Sequence, residues 1–270
     1  MNLLEDDMVG ILKDLKQNNG VFEVKAEYEN EGSRLVELMR LKDVTGKASL
    51  PIILKIGGVE AVTDMYDALS LGVKGIIAPM AETAFATYKF LNAIQTFIPE
   101  ENQRAIDFCV NIETITAYKN IDDILNLKDI NILTGLTVGR VDFSESVGAN
   151  RNFVNNDTML GYCKEIFYKA RGKGLKTALG GAISQESIPF IAALIADGLI
   201  DKFETRKLVY SIESFDNIEE GLAKGIQFEL LWLKSKRQYY HRIKNEDEKR
   251  IQMLEKRVFK KTVYRDLVDA

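Results

Sequence analysis

Short β-like runs alternating with amphipathic helical stretches predict an α/β fold, a (β/α) TIM-type barrel with a charged C-terminal helical extension. The β–α unit recurs about every 20 to 35 residues from Val21 to Tyr210. That repeat favours a barrel over an open doubly wound sheet, and neither a GxGxxG after a strand nor a GxxxxGK[ST] occurs to suggest nucleotide binding. The expected organisation is an N-terminal helix over 1–20, the barrel over 21–224 and the extension over 225–270.

Val21–Glu29 is strand-like, and Glu31–Lys47 follows with Leu35, Leu38, Met39 and Leu41 at helical spacing. Pro51–Ile56 is a second strand, with the helical Val59–Leu71 after it. Lys74–Pro79 precedes the helix Ala84–Phe97, and Ile106–Glu113 precedes Ala117–Leu127. Thr134–Val141 is a fifth strand, followed by a polar loop and the helix Asp157–Gly172. Leu175–Leu179 leads into Ser187–Asp197, and Asp201–Tyr210 is the seventh run. Seven strands are recognisable; an eighth is either hidden in an irregular segment or missing.

The chain has 270 residues, 46% of them hydrophobic and 28% charged, ordinary for a globular protein. Its net charge of −4 gives no global field for nucleic acid. Lys234–Lys261 carries eleven Lys/Arg against four acids, which leaves the rest of the chain at −11. Ile251, Leu254, Val258 and Phe259 form an apolar stripe there, backed by Ile243, so a homo-oligomer is expected, with no nucleic acid as partner. No apolar run reaches a membrane span and the acidic N-terminus does not suit a signal peptide, so no membrane partner and a cytoplasmic location are expected. Cys109 and Cys163 read as buried thiols. With His241 the single histidine, His/Cys zinc sites and Ser-His-Asp units cannot be assembled in the usual way. Chemistry then falls to carboxylates, lysines, arginines or a hard metal.

In a barrel, reactive groups sit at the C-terminal ends of the strands. The first strand ends in Lys25, Glu27 and Glu29, alternate residues that project to one side. The second ends at Lys55 before Gly57-Gly58, the third at Pro79-Met80 and the fourth at Glu113. The fifth ends at Arg140-Val141-Asp142, the sixth at Gly180-Gly181, and the seventh run carries Glu204 and Arg206. Glu113 and Asp142 lie 29 residues apart, one β–α unit. Adjacent strands are about 4.8 Å apart, so the two carboxylates can share one ion, and such a pair with open positions suits Mg²⁺ or Mn²⁺.

Asn111-Ile112-Glu113-Thr114, Asn120–Leu125, and Gly139-Arg140-Val141-Asp142-Phe143-Ser144 with Ser146-Val147-Gly148 resemble the HpcH/HpaI aldolase and citrate lyase β-subunit family. Ile77–Met80 resembles the family's Pro-Met strand end. The resemblance implies a (β/α) barrel with Glu113 and Asp142 as ligands to a divalent metal. Two departures stand out: Lys55 replaces an arginine of the aldolase branch, and Lys25, Glu27 and Glu29 occupy the strand that carries its catalytic histidine.

The expected function is therefore a metal-dependent carbon–carbon lyase or aldolase acting on a 2-oxo acid, with an aldehyde or acyl partner. Lys55 would add positive charge at the enolate. Glu27, Glu29 or a water on the metal would move the proton of the scissile hydroxyl. Arg140 or Arg206 would hold a distal anionic group, and the backbones of Gly57-Gly58 and Pro79-Met80 are assigned to substrate binding. A Schiff-base lyase using Lys25 or Lys55 is the first alternative. A non-catalytic barrel with a binding or assembly role is the second.

Overall fold

The computed structural model describes residues 2–268, and side chains for residues 2–257. Val258, Phe259, Lys260 and Lys261 of the basic apolar stretch therefore lie outside the described side chains.

The elements run α1 (Leu3–Asn18), β1 (Val21–Glu27), α2 (Leu35–Lys47), β2 (Ile52–Lys55), α3 (Val62–Leu71), β3 (Gly75–Ala78) and α4 (Ala84–Phe97). They continue with the short α5 (Glu100–Gln103), β4 (Asp107–Ile112), α6 (Ile115–Lys119), α7 (Ile121–Leu125), β5 (Gly135–Gly139), α8 (Arg140–Ser146) and α9 (Asp157–Arg171). The last are β6 (Lys176–Gly180), α10 (Ile188–Ala196), β7 (Lys202–Glu204), β8 (Leu208–Ser211) and α11 (Ile218–Val268). Side-chain caps start several helices: Asn2 with Glu5 closes a capping box on α1, and Thr83, Thr114 and Asn156 accept from the third N–H after them.

The eight strands close a barrel in sequence order. Seven are parallel; β8 runs antiparallel to both β7 and β1. The run Asp201–Tyr210 is thus two strands, and the missing eighth was inside the seventh. Thr205-Arg206-Lys207 breaks the run, and Thr205 closes a hairpin by bonding Leu208 through N–H to O (2.9 Å) and Leu208 N–H to Oγ1 (3.1 Å).

Even-numbered residues of β1–β4, among them Val24, Ala26, Leu54, Ile76, Ala78, Val110 and Ile112, pack outward against the helices in the main core. Odd-numbered residues point into the barrel, where Ile53, Ile77, Val209 and Cys109 form a separate small apolar layer. Polar layers lie on both sides of it, Glu23 with Lys202 at one end and the charged mouth at the other.

Two boundaries differ from the sequence reading. The fifth strand stops at Gly139, and Arg140–Ser146 is already a helix, so Asp142 sits in a first helical turn. One helix of 51 residues, α11, starts at Ile218 and runs through position 225. Its first part packs on α1 and β8 through Leu222, Phe228 and Trp232, with Gly221 and Gly225 against the Tyr210 ring. From His241 to Arg257 every residue is exposed. Among the described residues no helix is long and apolar enough to cross a membrane.

Candidate active site

A cavity of about 860 Å³ opens at the C-terminal ends of β1, β2 and β4–β7. Lys25 and Glu27 from β1, Lys55 from β2, Asn111 and Glu113 from β4, Thr137 and Gly139 from β5, Asp142 from α8, and Glu204 from β7 line it. Strand alternation accounts for this: residues 25, 27, 55, 111, 137 and 204 are inward positions. Glycines make the room. A Cβ on Gly139 would meet Glu113 Oε2 at 2.7 Å, and one on Gly180 would meet Glu204 Oε1 at 3.2 Å.

The charges form linked ion pairs. Lys25 Nζ lies 2.8 Å from Glu204 Oε1 and 3.1 Å from Glu27 Oε1. Burial works against the Lys25 ammonium, yet Glu204 and Glu27 outweigh it and hold the lysine above its ordinary value. Lys55 Nζ lies 2.7 Å from Glu29 Oε2 and 3.4 Å from Glu113 Oε2, and there too the carboxylates overcome burial and raise the pKa. Lys207 pairs with Glu31 on the rim, where burial prevails and lowers the lysine. Burial raises Glu113, against the pull of Lys55, and it raises Asp142, with Glu29, Glu145 and Glu27 adding to the effect.

Glu113 is fixed at both oxygens. Met80 N–H donates to Oε1 at 2.9 Å and Asn111 Nδ2 donates to Oε2 at 3.0 Å. Met80 holds φ at +52°, a conformation costing a non-glycine residue of order 1–3 kcal/mol, and this turn aims its N–H at the carboxylate.

The structure brings together Lys25, Glu27, Glu29, Lys55, Glu113 and Asp142 as read from the strand ends. Pro79 is buried, and Met80 serves Glu113 through its backbone. Arg206 lines the cavity at the hairpin tip, exposed and 3.9 Å from Glu229.

Arg140 is a correction. Its side chain is fully buried, and it donates to the carbonyls of Gly180, Gly181 and Val154, to Asn155 Oδ1 and to Ser187 Oγ, so no donor is left for a substrate. No carboxylate faces it, and burial pushes its pKa down to about 10. Gly57 and Gly58 are a second correction: they do not line the cavity, and Gly57 N–H donates to Asp64 Oδ2 at 2.7 Å in the turn into α3.

Lys207, Glu31, Asn111 and Arg151 escape assignment from the sequence, which gives Glu204 as a charge of the seventh run without a role. The alternation Glu27-Glu29-Glu31 was a usable signal for Glu31, whereas Lys207 becomes visible only once the hairpin is known.

The residues present fit a hard divalent ion. Glu27, Glu29, Glu113, Asp142 and Glu204 outnumber Lys25 and Lys55, and burial makes the charged forms of Glu113 and Asp142 unfavourable without a further cation. Among the described residues no group of three or more His, Cys, Asp or Glu is arranged to hold a metal. Two carboxylates alone suit an ion that keeps water and substrate in its other positions.

A closed barrel with a polar, charged mouth at its strand ends is the framework of a (β/α)-barrel enzyme. Residues 35–186, more than half of the chain, match the family described as HpcH/HpaI aldolase/citrate lyase, and the chain belongs to that family. No curated protein matches it. Among solved structures, citrate synthase SbnG is 18% identical with a TM-score of 0.60, over 81% of this chain and 89% of that one. An HpcH/HpaI aldolase from Desulfitobacterium hafniense DCB-2 is 15% identical with a TM-score of 0.59, over 84% and 88%. Protein CitE from Mycobacterium tuberculosis, in complex with magnesium and pyruvate, is 11% identical with a TM-score of 0.52, over 84% and 94%. At these identities the likeness is one of fold.

Proposed function

We propose that the chain is a divalent-metal-dependent carbon–carbon lyase or aldolase acting on a 2-oxo acid. The observation that carries this is the lysine–carboxylate arrangement at the mouth: Lys55 lies between Glu29 and Glu113, with Asp142 adjoining in the same cavity. Family membership and the CitE structure that holds magnesium and pyruvate support it.

Glu113 and Asp142 would hold Mg²⁺ or Mn²⁺. When bound, such an ion acts as a Lewis acid on the keto oxygen and stabilises enolate charge. Lys55 keeps its proton and contributes positive charge beside the developing enolate. Glu27, which lines the cavity and pairs with Lys25, or Glu29, which pairs with Lys55, accepts the proton of the scissile hydroxyl. As the hydroxyl carbon becomes a carbonyl, the electron pair of the broken C–C bond passes into the enolate. Its terminal carbon then takes that proton back from the protonated carboxyl group, which gives the 2-oxo acid and restores the base. Lys25 and Lys55 each lie against two carboxylates that favour the ammonium over the free amine a Schiff base requires.

The test is cleavage of 4-hydroxy-2-oxo acids with Mg²⁺ or Mn²⁺, followed as pyruvate released. Metal-dependent release that EDTA abolishes and that survives borohydride supports the reading. Inactivation by borohydride only in the presence of substrate would replace it with a Schiff-base mechanism.

A further inference from the structure

Glu113 and Asp142 are held in different ways. The Glu113 carboxylate has Met80 N–H, Asn111 Nδ2 and Lys55 Nζ around it, at 2.9, 3.0 and 3.4 Å. Among the described residues the Asp142 carboxylate has no hydrogen bond and no ion pair. Its place in the mouth therefore depends on the backbone that carries it, the first turn of α8, a helix of seven residues.

That turn is fixed by Arg140. Val141 and Asp142 line the mouth cavity, whereas the Arg140 side chain does not and is fully buried, with its guanidinium 4.8 Å from the Phe190 ring centre. Nε donates to Gly180 O at 3.2 Å. Nη1 donates to Val154 O at 2.9 Å and Asn155 Oδ1 at 2.7 Å, and Nη2 to Gly181 O at 2.7 Å and Ser187 Oγ at 3.3 Å. A guanidinium has five N–H donors in a fixed fork, and these five acceptors use all of them. They lie on three segments: the end of β6, the turn Arg151–Asn155 and the residue that opens α10.

The backbone is met as closely. A Cβ on Gly181 would lie 2.6 and 2.7 Å from the Arg140 and Val141 nitrogens. Gly181 at φ +78° is followed by Ala182 at φ +52°, so the stretch that Arg140 clamps is itself a strained one. On the β4 side, Gly139 stands three residues before Asp142, and a Cβ there would meet Glu113 Oε2 at 2.7 Å. The start of α8 is thus wedged between Glu113 and the end of β6, and Arg140 is the side chain that ties it to the latter.

We infer that Arg140 is a positioning residue for the metal site: it holds the first turn of α8 against the end of β6 and so fixes Asp142 relative to Glu113, without touching the ion or the substrate. This rests on the reading of Glu113 and Asp142 as ligands to one divalent ion. A lysine in its place keeps the charge but presents its donors from a single point, which cannot span three segments.

The test is the Mn²⁺ affinity of the full chain, read as free Mn²⁺ by electron paramagnetic resonance, beside denaturant melts in EDTA. Arg140→Lys is expected to weaken Mn²⁺ binding about tenfold or more, the usual effect of removing a group that orients a metal ligand. Asn155→Ala removes one of the five acceptors and is expected to weaken binding several-fold; it carries the test if the lysine variant does not fold. Gly135→Ala is the control, since its clash with Lys176 O lies at the opposite end of β5 and should lower stability without changing Mn²⁺ affinity. Raising the Mn²⁺ concentration should restore most of kcat in Arg140→Lys, whereas a general loosening of the barrel would lower kcat at every concentration. Wild-type Mn²⁺ affinity in folded Arg140→Lys, or in Asn155→Ala where the lysine variant does not fold, would overturn the inference, as would an equal loss in Gly135→Ala. Glu113→Gln and Asp142→Asn separate this from the reading beneath it. If both bind Mn²⁺ as wild type does, the ligand assignment fails and the inference with it. If both bind weakly while Arg140→Lys binds normally, only the positioning role falls.

Discussion

Gly139→Ala isolates the geometry of the mouth from its chemistry, since no ionisable group is removed. Gly139 has φ −92° and ψ 93°, which alanine adopts without strain. The obstacle is spatial: the new Cβ would lie 2.7 Å from Glu113 Oε2 and 2.9 Å from Glu113 Cβ. The carboxylate can rotate, but Glu113 Cβ is fixed by the strand, so either β4 and β5 separate slightly or the side chain leaves its partners. Overpacking of this kind costs about 1–3 kcal/mol. Losing the Met80 and Asn111 bonds to a buried carboxylate adds about 1.5–3 kcal/mol for each bond. The barrel is expected to relax partly, with a net loss of a few kcal/mol and a folded protein. Activity should fall further than stability does, by about a hundredfold or more, because misplacing a reacting group by 1 Å has that effect. The assay is metal-dependent pyruvate release at saturating Mn²⁺, beside a denaturant melt. Gly135→Ala is the control: its Cβ would meet Lys176 O at 2.5 Å, at the opposite end of β5 from the mouth. It should destabilise comparably and leave the melted-fraction-corrected kcat near wild type. Wild-type activity in Gly139→Ala would refute the placement of Glu113 in the site.

Lys55→Ala should lower kcat more than it raises KM, because its charge is felt mainly in the transition state, and Lys55→Arg should recover part of the loss; an unchanged kcat in the alanine variant removes Lys55 from the mechanism. Burial raises the Cys163 thiol to about 12, so this fully buried cysteine should resist iodoacetamide at pH 8 until the protein unfolds, and its rapid labelling in the native protein would contradict that packing. Asp201 is half-buried; burial opposes its charge, but the Thr177 N–H and hydroxyl and the Arg171 guanidinium prevail and lower its pKa. A lowered carboxylate stabilises the fold above its unfolded pKa near 3.8, an effect lost as the pH falls through the folded value. Asp201→Asn should therefore cost about 1–2 kcal/mol at pH 7 and progressively less toward pH 2, read by urea melts; a cost independent of pH would exclude the charge as its origin. Truncation after Arg242 should reduce subunit number by light scattering with barrel helicity largely kept, because Ile243, Ile251, Met253 and Leu254 are exposed on a helix with no covering among the described residues; an unchanged subunit number would refute an assembly role.

Period and alternation made most of the barrel legible. Val21–Glu29 shows why: Val24 and Ala26 are buried toward the helices while Glu23, Lys25 and Glu27 point inward, and both facts lie in the order of residues. The reversal of β8 was not legible, because Asp201–Tyr210 keeps a strand-like composition on both sides of its turn. Alternation carries no direction, so a tight hairpin and a single strand read alike until pairing with β1 and β7 decides between them. The end of β5 was hidden for a related reason. Arg140-Val141-Asp142 suits a strand by alternation, but Gly181 closes against the Arg140 and Val141 nitrogens, and that contact is 40 residues away in the chain.

The site shows a sharper division between what a strand end reveals and what it conceals. Lys25, Lys55, Glu113 and Asp142 could be located because an inward charge at a barrel mouth has few places to go. Whether such a charge is free or spent depends on partners distant in sequence: Lys25 answers to Glu204 on β7, and Arg140 answers to five oxygens with no carboxylate among them. Arg140 is the instructive case. A guanidinium surrounded by carbonyl and hydroxyl oxygens keeps its charge uncompensated, which lowers its pKa but satisfies its donors, so it holds loops together and attracts no anion past them. Arg151, eleven positions later and exposed, has the opposite properties: an unspent charge, no internal partner, and a cavity in front of it. Two arginines on one connection thus differ in kind, the buried one fixing the walls and the exposed one left to solvent.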